Sequence, residues 1–205
     1  MGKPGAGTIM LNGLWRENPI FRQILGICSA LAVTNLLVNT VTLCAGMVAV
    51  TALSSGTVSL LRNVTPRRVR MMVQVLIIAS YVILVDLVLK AYLPEISKAL
   101  GPYVGLIITN CIIMGRAEAF AGSNRVLPSM LDGLASGLGY SLVLVCVAVV
   151  RELLGFGTIW NVALMPEDFT RWTLMVMAPG AFFMLGIFIW IARGLFPSKA
   201  EATGS

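Results

Sequence analysis

The sequence predicts an all-α integral membrane protein of six transmembrane segments, arranged as a 3+3 inverted repeat whose first and fourth segments are short or broken. Three observations carry this expectation. The 205-residue chain is 58% hydrophobic and only 12% charged, with a mean hydropathy of +0.89, far from the composition of a soluble domain. Its charged residues, 15 Lys+Arg and 9 Asp+Glu, cluster between long uncharged stretches, as membrane spans and their flanks require. The basic residues also collect on one side of the predicted membrane.

One membrane domain covers residues 1–205, with an N-terminal tail at 1–22, three-helix halves at 23–100 and 101–196, and a C-terminal tail at 197–205. The first tail carries Lys3, Arg16 and Glu17 but no apolar run ending in a small-residue cleavage site. No cleavable signal peptide is expected there, and the first span serves as the insertion signal.

From Ile24 to Leu61 no residue is charged. As one helix this run would reach roughly 57 Å, nearly twice a hydrocarbon core of about 30 Å. It therefore folds as two spans. The polar patch from Thr34-Asn35 to Asn39-Thr40 is the expected bend, leaving a short, interrupted first segment from Ile24 to about Val38 and a second from about Val41 to Leu61. Arg62, Arg67, Arg68 and Arg70 close the pair. A third span runs from Met71 to about Leu89, followed by a loop from Tyr92 to Pro102 in which Pro94 and Gly101-Pro102 act as breakers.

The fourth segment is unusual, because Val104 to Gly115 spans about 18 Å as a helix before Arg116-Ala117-Glu118 brings in charge. Either the helix carries charge into the bilayer or it is broken. Leu134 to Val150 is the fifth span, ending at Arg151-Glu152, and Trp172 to Ala192 is the sixth, stopped by Arg193-Gly194 and Pro197. With the N-terminus inside, only Lys90, Lys98, Arg151 and Arg171 of the 15 basic residues fall outside, which satisfies the positive-inside rule. The same asymmetry accounts for the net charge of +6, so nucleic acid is not expected as a partner.

Three spans per half is an odd number, so a repeat of the first half must sit upside down in the membrane. Paired short segments in corresponding places then point to a functional site near the midplane. Each carries a cysteine: Cys28 after Gly26-Ile27, and Cys111 after Thr109-Asn110. Four cysteines occur in all, with no CxxC spacing, so no local zinc or ferredoxin motif exists. Cys44 and Cys146 lie in continuous apolar helices and read as small packing residues. For Cys28 and Cys111 packing and a disulfide remain open, the latter requiring an oxidising compartment. The alternative is a shared axis at which two thiolates supply half of the four that an iron-sulfur cluster needs, a partner supplying the rest.

A carboxylate buried in the membrane is costly unless it is paired or stands beside water or a cation. Asp86 stands four residues before Lys90, the spacing of a helical ion pair. Asp132 is expected at the start of the fifth helix, where it would cap the positive end of the dipole. Arg116 and Glu118 would line the inner end of the broken fourth helix. Asp86, Asp132 and Glu118 are also the candidates for a cation route.

The stretches Leu25-Gly26-Ile27-Cys28-Ser29-Ala30-Leu31-Ala32-Val33-Thr34 and Gly105-Leu106-Ile107-Ile108-Thr109-Asn110-Cys111-Ile112-Ile113-Met114-Gly115-Arg116-Ala117-Glu118-Ala119-Phe120-Ala121 resemble the D subunits of sodium-translocating NADH:quinone oxidoreductases. The E subunits of Rnf electron-transport complexes are close homologues. The resemblance covers nearly the whole chain, including Leu89-Lys90-Ala91-Tyr92 and Arg151-Glu152-Leu153-Leu154-Gly155. Ser29, where Rnf subunits usually carry Pro, favours the quinone reductase.

The resemblance implies a [2Fe-2S] cluster shared with a homologous subunit, Cys28 and Cys111 giving two ligands and that partner two more. It also implies a bacterial inner-membrane complex with both termini of this chain cytoplasmic, and flavin and NADH sites on other subunits. No residue of this chain is expected to be catalytic by itself. Covalent flavin in such complexes attaches to a Ser-Gly-Ala-Thr type string, and Ser54-Ser55-Gly56-Thr57 lacks the Ala, so none is expected here. No GxGxxG turn is present for NADH. A secondary transporter and a passive anchor for soluble redox subunits are the competing functions.

Overall fold

The structure, a computed structural model, describes Ile20 and residues 25–66, 68–92, 94–159, 162–163 and 177–195. Seven α-helices are described in chain order: α1 Ile27–Val33, α2 Leu37–Leu61, α3 Arg70–Tyr92, α4 Pro94–Ile108, α5 Cys111–Arg116, α6 Val126–Gly155 and α7 Ala178–Leu195. α5 runs directly into one turn of π-helix at Ala117–Ala121. A two-residue antiparallel strand pair, Thr158–Ile159 with Val162–Ala163, follows α6.

Runs this apolar become helices because lipid offers no partner for backbone N–H and C=O groups, and a helix satisfies them within the segment. Among the described residues four stretches are long and apolar enough to cross a membrane, namely Leu37–Leu61, Arg70–Tyr92, Tyr103–Ala121 and Val126–Gly155, with a shorter one at Pro179–Ile191. The third of these joins the end of α4, a break at Thr109-Asn110, α5 and the π turn. The chain is thus a multi-pass membrane protein of the all-α class.

α2 and α6 form the centre of the molecule and share its most extensive interface. Glycines let them approach closely. A Cβ on Gly133 would lie 2.9 Å from Thr51 O, and one on Gly137 would lie 3.3 Å from Val48 Cα, the small-residue packing expected where lipid supplies no hydrophobic drive. The pairing runs Leu37 with Glu152, Cys44 with Ser141, Val48 with Gly137, Thr51 with Gly133 and Gly56 with Met130. One helix number rises as the other falls, so α2 and α6 are antiparallel. They are the second spans of the two halves, and this is the relation an inverted repeat requires. α3 is peripheral: Met72, Leu76, Ile83, Leu84 and Leu87 are exposed on it, an outward apolar surface suited to lipid or to another membrane subunit.

Several boundaries differ from those expected. The first interruption is shorter than the predicted bend, occupying Thr34–Leu36. Thr34 and Thr40 return their hydroxyls to Ala30 O at 2.5 Å and Leu36 O at 2.9 Å, so Thr34 closes the end of α1 and Thr40 stays within α2. Ile20, assigned to the tail, is helical and buried in the core. The predicted loop from Tyr92 to Pro102 is mostly α4. Pro94 opens that helix, where its missing N–H costs nothing, and Gly101-Pro102 lie inside it.

The fifth span is longer than predicted at both ends. Pro128 sits in its first turn, and it passes through Arg151-Glu152 to Gly155. Both charged residues are buried there rather than ending the helix at a surface. Arg151 Nη1 donates to Thr34 Oγ1 at 2.5 Å, and Glu152 accepts from Leu37 N at 2.6 Å. A carboxylate at the first turn of α2 satisfies an orphan donor and the helix dipole together. At the other end of the pair, Ser59 and Arg62 both donate to Asn124 O at 2.6 Å, so each central helix clasps the connection that leads into the other. α7 passes through Arg193-Gly194 to Leu195, while the predicted start of that span at Trp172 and its stop at Pro197 lie outside the described residues.

Candidate functional site

The two cysteine-bearing segments are each interrupted immediately before their cysteine. Gly26 precedes α1 with φ +83°, a left-handed conformation that glycine adopts without a Cβ penalty. Cys28 is the second residue of the helix that follows. Asn110 precedes α5 in extended conformation, and its Oδ1 accepts from Ile112 N at 2.9 Å, a side-chain cap for an orphan helix donor. Cys111 is the first residue of that helix.

A buried polar node joins the two breaks. Asn110 Nδ2 donates to Ser29 Oγ at 3.1 Å and stands 3.8 Å from Met47 Sδ. Ser29 Oγ also bonds the Tyr140 hydroxyl, and Tyr140 donates to Gly26 O at 2.9 Å. Ser29, Asn110 and Tyr140 are all buried, and Tyr140 belongs to the middle of α6. The residue after Cys28 is thereby bonded to the residue before Cys111, which joins the starts of the two cysteine-bearing helices. Both thiols are free and exposed on the chain.

Cys44 is buried on α2, its Sγ 4.0 Å from Ser141 O, and Cys146 lies on α6; neither belongs to the node. Among the described residues no group of three or more His, Cys, Asp and Glu side chains is placed to hold a metal. The donor set is therefore two thiols facing outward. That fits half of a thiolate-ligated iron-sulfur centre, sulfur being the donor such centres use, with the remaining positions open to another chain.

The acids occupy three separate settings. Asp86 pairs with Lys90 at 2.6 Å along α3, the one-turn ion pair that the spacing predicted. Asp132 does not cap a helix. It is the seventh residue of α6, because the helix starts at Val126 rather than near Leu134. Its carboxylate is buried against Arg116, with Nε to Oδ2 at 2.9 Å and Nη2 to Oδ1 also bonded, the two-point geometry that suits a buried guanidinium. The fourth segment thus both breaks and carries charge inward. Glu118, on the π turn, accepts from Gln74 Nε2 at 2.8 Å and lies 3.4 Å from Arg70 Nε.

Tyr140 gave no sequence signal, being one aromatic in an apolar helix. Asn110 gave one: a residue type favoured as a helix cap, placed just before a short apolar run. Gly26 is held by shape as well as by φ. A Cβ there would meet Ile112 Cδ1 at 2.6 Å and Tyr140 Cε2 at 2.7 Å. Gly26→Ala combines about 1–2 kcal/mol of left-handed strain with about 1–3 kcal/mol of overpacking. It is expected to lower the amount of folded protein extracted from membranes several-fold, measured by quantitative gel filtration against wild type.

The sequence model of a family described as "Rnf-Nqr subunit, membrane protein" matches residues 6–189. The chain is 50% identical over 204 residues to the D subunit of the Na(+)-translocating NADH-quinone reductase of Chlamydia trachomatis serovar L2, covering 95% of this chain and 96% of that protein. To the same subunit from Chlamydia felis it is 49% identical over 204 residues, with the same coverage of 95% and 96%. To that from Aeromonas salmonicida it is 48% identical over 199 residues, covering 95% of each chain.

Proposed function

Because the chain belongs to the Rnf-Nqr family of membrane subunits, we propose that it is the electron-relay subunit of a sodium-pumping NADH:quinone oxidoreductase. In this reading Cys28 and Cys111 hold half of an intramembrane [2Fe-2S] cluster, and a homologous subunit gives the other two cysteines. The observation that carries it is the Asn110–Ser29 bond, which ties together two helix starts that each bear an exposed cysteine. Similarity to proteins named as D subunits of that reductase supports the choice of complex over the Rnf alternative, and Ser29 agrees with it.

The bound cluster would supply one-electron transfer at the midplane. This chain's own residues do the rest. Gly26 and Asn110 stand at the N-caps of α1 and α5, so that each thiol lies in the first turn of its helix. Ile112, Ile113 and Tyr140, all fully buried, belong to the apolar core next to the two helix starts and would keep water out from the side of this chain. Exposed thiols are open to oxidation, so in this reading a partner subunit serves as a cover as well as a ligand source. The Ser54-to-Thr57 string lies inside α2 with Ser54, Ser55 and Gly56 buried, a poor site for a covalent flavin. NADH and flavin chemistry belong to other subunits, and the complex sits in a bacterial inner membrane with both termini of this chain cytoplasmic.

The test is the purified complex carrying Cys28→Ala with Cys111→Ala. It is expected to lose about two iron atoms per complex, the content of one [2Fe-2S] centre, and its quinone reduction, while the subunits remain together. Full iron content with full quinone reduction would instead favour a transporter or an anchor.

A further inference from the structure

We propose that Tyr140 and Asn110 are positioning residues that set the separation of the Cys28 and Cys111 thiols, acting through the single hydroxyl of Ser29. This rests on the reading of those thiols as cluster ligands.

Each group of the node has a fixed stock of hydrogens. An amide Nδ2 only donates, a carbonyl only accepts, and each hydroxyl has one hydrogen to give. Asn110 Nδ2 donates to Ser29 Oγ at 3.1 Å, and Tyr140 donates to Gly26 O at 2.9 Å. The Ser29 hydroxyl stands against both Gly26 O, at 3.2 Å, and the Tyr140 hydroxyl, so its one hydrogen has two acceptors within reach. The result is one connected chain: the Asn110 amide donates to the Ser29 hydroxyl, and the Ser29 and Tyr140 hydroxyls bond each other and both reach the Gly26 carbonyl. At its far end Asn110 Oδ1 holds Ile112 N, so both helix breaks are spanned without a gap. In a dry interior such a chain is stiff, because each bond polarises the next and no water competes for it.

The chain touches the ligand-bearing backbone on both sides. Ser29 directly follows Cys28 and Asn110 directly precedes Cys111. Its anchor is elsewhere: Tyr140 stands at the middle of the 30-residue α6, with 0% exposure, on the helix most firmly packed in the molecule. The spacing of the thiols is therefore referred to the rigid α2–α6 pair and not to the breaks themselves. The Asn110 end of α5 is fixed by this chain and its other end by Arg116 on Asp132, so Cys111 has little freedom to follow a partner. Small errors in such a frame matter, since about 1 Å of misplacement can cost on the order of 100-fold in rate.

The experiment uses the whole complex with Tyr140→Phe, which keeps the ring and deletes the hydroxyl, and with Ser29→Ala. Iron per complex, the electron paramagnetic resonance spectrum of the reduced cluster and its midpoint potential are measured beside quinone reduction. Expected are shifted or broadened g-values, a displaced potential and a rate lowered on the order of 10- to 100-fold, or loss of iron from a complex that still assembles. A wild-type spectrum and potential in both variants overturn the proposal, even if less complex accumulates, since that is what a purely structural role gives. Should Tyr140→Phe fail to assemble, Ser29→Ala decides on the same readouts. The cluster reading stands or falls separately, on the iron content of the double cysteine variant.

Discussion

Arg116→Ala is expected to stop the protein from accumulating in the membrane. The Arg116 guanidinium holds both oxygens of Asp132 in a buried setting, and removing one partner of a buried ion pair costs about 3–5 kcal/mol because the remaining charge keeps its desolvation penalty. That approaches the whole stability of many domains. The loss should be larger than for Asp86→Ala, since the Asp86–Lys90 pair is exposed on α3 and exposed pairs contribute about 0–1 kcal/mol. Replacing both partners, with Arg116→Leu and Asp132→Leu, should restore part of the yield, because it deletes both penalties together. Protein per milligram of membrane, measured by quantitative immunoblot, checks the order: wild type, then Asp86→Ala, then the double variant, then Arg116→Ala. Equal yields for the two single variants would remove the ion pair from the account.

The second large effect is expected at Gly133. A Cβ there would stand 2.9 Å from Thr51 O, 3.0 Å from Ser55 Oγ and 3.3 Å from Ala52 Cα. Two of these atoms are backbone and cannot turn aside. Gly133→Val must therefore force α2 and α6 apart, at an overpacking cost of about 1–3 kcal/mol or more, and the separation would travel to every group mounted on the pair. Gly137→Ala, whose new Cβ would meet Val48 Cα and Cγ2 at 3.3 Å, should be milder. A graded fall in the thermal unfolding temperature of the extracted protein, small for Gly137→Ala and large for Gly133→Val, is the expected result.

These two sites show what the sequence could and could not convey. The spans were legible because lipid acts on each residue separately, and a long apolar run has one physical outcome in it. That the two cysteine-bearing segments are short was legible too, from the charge-free length of the first run and the few residues of the fourth segment, whereas the interruptions at Gly26 and Asn110 were not placed by either. What misleads is charge at a span's edge. Asp132 and Arg151-Glu152 read as boundaries because a lone charge is costly in the bilayer. In the fold Asp132 meets Arg116, Arg151 meets Thr34 and Glu152 meets the first N–H of α2, and none of those partners is near in sequence. A penalty reckoned residue by residue is cancelled by tertiary pairs, and the helix runs on.

Gly101-Pro102 departs from expectation for a related reason. The dipeptide is a breaker by local preference, yet α4 continues through it, since tertiary context can override propensity. Tyr140 lay beyond sequence reasoning altogether, because its importance comes from where α6 passes the Gly26 carbonyl. The Ser29–Asn110 bond, by contrast, joins two residues that each lie next to a predicted ligand, so the prediction of two converging thiols already implied neighbours that would meet.

The central claim is that this chain contributes thiolates to a cluster completed by another subunit. The most direct measurement is the electron paramagnetic resonance spectrum of the reduced, purified complex with Cys111→Ser compared with wild type. An oxygen ligand in place of sulfur should keep part of the iron and shift the g-values of the cluster signal. A complex with full iron and a wild-type spectrum would show that its cluster is held by other residues, and would contradict the account.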